Sequence, residues 1–76
     1  PNVTIYPNPA SDRLYVETQT QTLTIEIYDV YGRLQDHKTT RLQGCIAVDV
    51  VNLNSGIYFV KVVTENGNVV KRIVKY

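Results

Sequence analysis

The chain has 76 residues, of which 43% are hydrophobic and 20% charged, with a formal net charge of +1. These values describe one small globular domain and exclude a disordered chain. No run of about 18 apolar residues is present to cross a membrane as a helix, and so small a net charge favours no nucleic-acid partner.

The sequence contains no Met and one Cys. Residues 1–76 are therefore expected to form a single domain that is either processed or excised from a longer protein. Cys45 has no partner for an internal disulfide and is expected as a small packing residue in a strand.

Val3 to Tyr6 reads as a short strand. Tyr6-Pro7-Asn8-Pro9 ends it, because each proline lacks a backbone donor and pushes its predecessor toward extended geometry. Asn8, Ser11 and Asp12 are expected to bond local backbone and set the turn. Arg13 to Glu17 resumes as a strand with Leu14 and Val16 on one face. Thr22 to Tyr28 alternates cleanly, with Leu23, Ile25 and Ile27 expected to point inward. Asp29 is expected to accept backbone N–H groups in the following turn, and Gly32 to supply its left-handed residue ahead of Arg33.

Leu34 to Thr40 is polar, and Asp36, His37 and Lys38 suit an exposed edge strand. Cys45 to Val50 is a further strand, with Ile46, Val48 and Val50 inward. Leu53, Gly56 and Tyr58 have the spacing of a tyrosine corner, in which the Tyr hydroxyl bonds upstream backbone at a strand entrance. Two β-rich runs then flank Asn66-Gly67, a strong hairpin signal. The whole reads as an all-β, seven-stranded antiparallel two-sheet sandwich of immunoglobulin-like type.

The last hairpin is basic. Residues 57–76 carry Lys61, Lys71, Arg72 and Lys75 against Glu65, whereas the rest of the chain is mildly acidic. Counting across a two-residue Asn-Gly loop sets Lys61 opposite Arg72. A three-residue loop sets it opposite Lys71. In either register like charges face each other, at a local cost in stability that a partner using the charges would explain.

Catalytic chemistry is not indicated. One His and one Cys do not supply the three or four ligands of a zinc site, and His37 lies among polar residues. No Ser/His/Asp spacing, paired carboxylates or glycine-rich phosphate loop occurs. No cofactor and no metal are expected. Asp29 reads first as a turn residue and only second as a calcium ligand.

The motifs Tyr6-Pro7-Asn8-Pro9-Ala10-Ser11-Asp12, Tyr28-Asp29-Val30-Tyr31-Gly32-Arg33, Leu53-Asn54-Ser55-Gly56-Ile57-Tyr58-Phe59-Val60-Lys61-Val62 and Lys71-Arg72-Ile73-Val74-Lys75 occur in that order. Together they resemble the type A C-terminal sorting domain of the type IX secretion system of Bacteroidetes bacteria, over essentially the whole chain. The resemblance implies a secretion signal and not an enzyme. It implies an upstream cargo domain that reaches the periplasm, passes an outer-membrane translocon, and ends at the cell surface or secreted. It also implies a sortase-like cysteine peptidase that removes the domain near or before Pro1.

Carried over by position, recognition falls on Gly56, Tyr58, Val60, Lys61 and Val62 of the penultimate strand. On the final hairpin it falls on Gly67, Lys71, Arg72, Ile73, Val74 and Lys75. Pro7, Pro9, Gly32 and Arg33 are implied to be structural. The chain departs from the family pattern in ending on Tyr76, where Lys or Arg is frequent. An adhesion or carbohydrate-binding sandwich using Tyr15, Tyr28 and Tyr31 is the alternative reading, with a structural spacer as the third. Unpaired strand edges also offer a route to a homodimer.

Overall fold

The computed structural model describes residues 2–76 and contains seven strands. They are β1 (Val3–Tyr6), β2 (Arg13–Thr18), β3 (Thr22–Tyr28), β4 (Leu34–Thr39), β5 (Gly44–Asp49), β6 (Gly56–Thr64) and β7 (Gly67–Lys75). They form a three-stranded sheet ordered β1-β2-β5 and a four-stranded sheet ordered β4-β3-β6-β7. Every strand pairing is antiparallel. The architecture is the immunoglobulin-like sandwich expected from the sequence.

The period of two explains the packing. Leu14 and Val16 of β2 pair with Val48 and Ile46 of β5, and all four are at most 3% exposed. In the facing sheet, Ile25 and Ile27 of β3 pair with Val62 and Val60 of β6, again essentially without exposure. Side chains on alternate positions of each strand thus meet between the layers. Burying each such Val, Leu or Ile is worth about 1.5–3 kcal/mol. By contrast β4 pairs only with β3 and is exposed throughout, as its charged sequence predicts.

Two residues depart from the alternation. Leu23 is only half-buried, because a register shift between Thr22 and Thr24 breaks the β3–β6 ladder there. Thr22 takes the interior place, fully buried, and among the described residues its hydroxyl has no hydrogen-bond partner. Cys45 is exposed rather than packed. Its neighbour Ile46 claims the inward position of β5, so the strand turns Cys45 outward.

Between β1 and β2, which share a sheet, the chain crosses briefly to the other sheet. Tyr6-Pro7 and Asn8-Pro9 are both cis, and the segment beyond them reaches the opposite layer. There Ala10, fully buried, makes a parallel bridge with Lys75 at the end of β7.

Candidate functional site

The C-terminal hairpin is built from its turn outward. Glu65 and Asn66 occupy the loop, and Gly67 opens β7 with φ at +130°. The Thr64 hydroxyl donates to Gly67 O at 2.9 Å and accepts the Asn66 N–H at 3.2 Å. Thr64 therefore pairs with Gly67, and the ladder runs down to Gly56 opposite Lys75.

This register corrects the expected charge pairing. Lys61 faces Val70, while Lys71 faces Val60 and Arg72 faces Phe59. A primed turn centred on Asn66-Gly67 needs positive φ at both residues. Among the described residues none but glycine has positive φ, so the loop closes one position earlier and Gly67 alone takes that angle.

The expected recognition residues fall into two groups. Tyr58, Val60, Val62 and Ile73 point into the core and are at most 7% exposed. Lys75 is buried too, and its ammonium donates to Tyr76 O at 3.0 Å. Gly56, Gly67, Lys71 and Arg72 are exposed, and Lys61 and Val74 are half-buried. Lys61 and Arg72 lie on the outer face of the sheet. Lys71 has the inward parity of Ile73 but stays exposed, because β7 is the sheet's edge strand.

Two devices fix this hairpin to the body. The first is the tyrosine corner: Tyr58 Oη donates to Asn54 O at 2.7 Å, and Leu53 packs against the core beside it. The second was not foreseen. Asn8 Nδ2 donates to Arg72 O at 3.2 Å, and the Val74 N–H donates to Asn8 Oδ1 at 2.9 Å. Ala10 N–H donates to Val74 O at 2.8 Å, and Tyr76 N–H donates to Ala10 O at 2.9 Å. The Asn8 amide serves β7 as a neighbouring strand's peptide would, since it carries one donor and one acceptor in the same geometry. The signal in the sequence is an Asn between two prolines that lack donors of their own.

The middle turn behaves as expected. Asp29 Oδ1 accepts the N–H groups of Tyr31 and Arg33 at 2.9 and 3.0 Å, and Oδ2 accepts Arg33 Nε at 2.8 Å. These bonds, the Arg33 backbone N–H foremost, hold the Asp29 carboxyl below its ordinary range. Gly32 supplies the left-handed residue at φ +79°. Both carboxylate oxygens are thus engaged in the turn, the first of the two roles the sequence allowed.

Elsewhere the surface offers a shallow depression of about 520 Å³, lined by Asn2, Thr4, Glu17, Gln19, Gln43 and Cys45 among others. Beside it Tyr6 stacks on Tyr15 with ring centroids 5.6 Å apart. Tyr6 Oη lies 3.6 Å from Cys45 Sγ and donates to Glu17 Oε2 at 3.2 Å. The contact with Cys45, then local desolvation and Glu17, push the Tyr6 phenol up to about 12. The tyrosines of the carbohydrate reading are not gathered on one platform. Tyr15 lies in the three-stranded sheet, Tyr28 in the four-stranded sheet, and Tyr31 in the β3–β4 turn. Among the described residues, no three His, Cys, Asp or Glu side chains are grouped to hold a metal ion.

Comparison with known proteins agrees with the family resemblance. No curated protein matches the chain. The family model of the secretion system C-terminal sorting domain matches residues 4–76, from β1 through the last residue of the hairpin. With nearly its full length covered, and Pro7, Pro9, the middle turn and the C-terminal hairpin all inside the match, the chain belongs to the type IX secretion system C-terminal sorting domains.

Proposed function

We propose that the folded β6–β7 hairpin is the address by which the type IX translocon recognises this domain and exports the cargo ahead of it. The observation that carries this reading is the hairpin's chemistry. Lys71 and Arg72 are exposed at a sheet edge, Lys61 is half-buried on the adjoining face, and β6 and β7 contain no carboxylate. The buried residues of the hairpin contribute by holding that display rigid, since Tyr58, Val60, Val62 and Ile73 are out of a partner's reach.

In this reading the cargo crosses the periplasm with the domain attached. A sortase-like cysteine peptidase then removes the domain, and the cargo is anchored to the surface. The removal point expected near or before Pro1 lies outside the described residues. The domain itself performs no catalysis and takes no cofactor.

The test is a periplasmic reporter fused to residues 1–76 in a type IX-competent host. The parent fusion should be exported. Lys61→Gln with Lys71→Gln and Arg72→Gln should leave it in the periplasm while the domain stays folded. Stability should move by no more than about 0.5 kcal/mol, because Lys61 faces Val70 on β7 and Glu26 on β3, and none of the three cations forms a salt bridge among the described residues. Failure of the parent fusion to leave the periplasm sinks the sorting role. Normal export of the folded triple variant removes the charges from the address.

A further inference from the structure

The edge of β7 is closed over one half and open over the other. Arg72 O, both backbone groups of Val74, and Tyr76 N–H point away from β6 and are taken by Asn8 and Ala10. Backbone groups on one side of a strand recur at every second residue. Arg72 N–H and both groups of Val70 and Asn68 therefore also point outward. Among the described residues no strand pairs with them and no side chain reaches them. The open stretch, Asn68–Arg72, is roughly 17 Å long at strand rise.

The other edges differ. β1 has only four residues and runs into Pro7. On β5, Ala47 O accepts the Lys38 ammonium at 3.1 Å. β4 carries Asp36, His37 and Lys38 in succession, and Asp36 Oδ1 accepts the His37 N–H at 2.8 Å. On β7 the middle of the open stretch is Val70, apolar, β-branched and 58% exposed.

Resting on the reading of the hairpin as the address, we infer that the translocon contributes an extended strand which adds to β7 along Asn68–Arg72 and stops against Asn8. Such strand addition supplies affinity through main-chain hydrogen bonds and specificity through alternate side chains. The incoming strand presents an apolar residue beside Val70 and a carboxylate beside Lys71 or Arg72. The charge selects this occupant over a second copy of the chain. Two copies joined at this edge would bring two Lys71–Arg72 pairs together with no carboxylate on either β7, an unfavourable juxtaposition at an exposed edge.

The test is Val70→Pro in the reporter fusion. Its N–H faces solvent, so proline removes a donor and obstructs an incoming strand without removing a β6–β7 hydrogen bond. Val70→Thr, which keeps the N–H, is the control. Expected is a folded Val70→Pro domain whose cargo stays in the periplasm, with Val70→Thr, which alters the side chain but keeps the N–H, exported well above Val70→Pro. Export of Val70→Pro at the parent's level overturns the inference and leaves the sorting role intact, whereas a parent that is not exported overturns that role.

Amide hydrogen exchange on the unmodified chain is decisive even if Val70→Pro does not fold. Detergent-solubilised outer membranes from a type IX-competent strain should slow exchange at Asn68, Val70 and Arg72 at least tenfold. Membranes lacking the translocon should not. Unchanged exchange at those three amides overturns the inference. So does protection that rises with the chain's own concentration and needs no membrane, which would make a second copy the occupant.

Discussion

Replacing Tyr58 with Phe isolates the hydrogen bond of the tyrosine corner. The ring is 7% exposed and packed in the core, and Phe keeps it there. What is lost is the 2.7 Å bond from the hydroxyl to Asn54 O. Two magnitudes compete. An acceptor orphaned in the interior costs about 1–3 kcal/mol, whereas a net hydrogen bond whose partner can rehydrate is worth about 0.5–1.5 kcal/mol. Asn54 is exposed, so water can replace the phenol, and the smaller range applies. The expected loss is about 1 kcal/mol, equivalent to a fall of roughly 4–8 °C in Tm for a domain of this size. In urea, with a slope of about 1 kcal/mol/M, the midpoint should fall by about 1 M with the slope unchanged. Tyr15→Phe is the comparator, because the Tyr15 hydroxyl makes no hydrogen bond among the described residues; it should stay within about 0.5 kcal/mol of the parent. An unchanged midpoint for Tyr58→Phe, or equal losses for the two variants, would refute the reasoning.

Asn8→Ala removes the two bonds to Arg72 O and Val74 N–H. It should cost about 1 kcal/mol in urea unfolding and speed amide exchange at Val74; unaltered exchange there would deny the amide its role as a surrogate strand. Asp29→Asn should reduce the acid sensitivity of stability. The folded carboxyl titrates below its ordinary value near 3.8, so its contribution is present above that value and is lost as pH falls through the lower, folded one. The Tm gap between parent and Asp29→Asn should therefore be widest near pH 6 and shrink toward pH 2, and a gap that stays constant would reject the Asp29 assignment.

Much of this domain was legible because its information is local. The alternation of Leu14 with Val16, of Ile46 with Val48, and of Val60 with Val62 sets which face of each strand is buried, since a strand's side chains change sides at every residue. The corner at Leu53–Tyr58 and the turn at Asp29–Gly32 were readable for the same reason: each closes over a few residues whose side chains supply the bonds. The charge order along β4 marked it as an edge before any pairing was known.

Other features depended on partners distant in the chain. Pattern alone admits the hairpin register seen here and the one two pairs away, for both keep Tyr58, Val60, Val62 and Ile73 inward; the backbone angle at Asn66, which is not positive, separates them. The bulge that exchanges Leu23 for Thr22 arises in the ladder between β3 and β6, some 40 residues apart. Asn8 looked like a turn residue because its local backbone was all the sequence displayed, yet its amide is spent on Arg72 and Val74. The sequence by itself determined the class of fold, the buried faces and the basic character of the last hairpin. The tertiary structure decided which half of β7 is closed and which is open, because hydrogen bonds between remote strands depend on where the chain changes sheets and not on the residues of either strand.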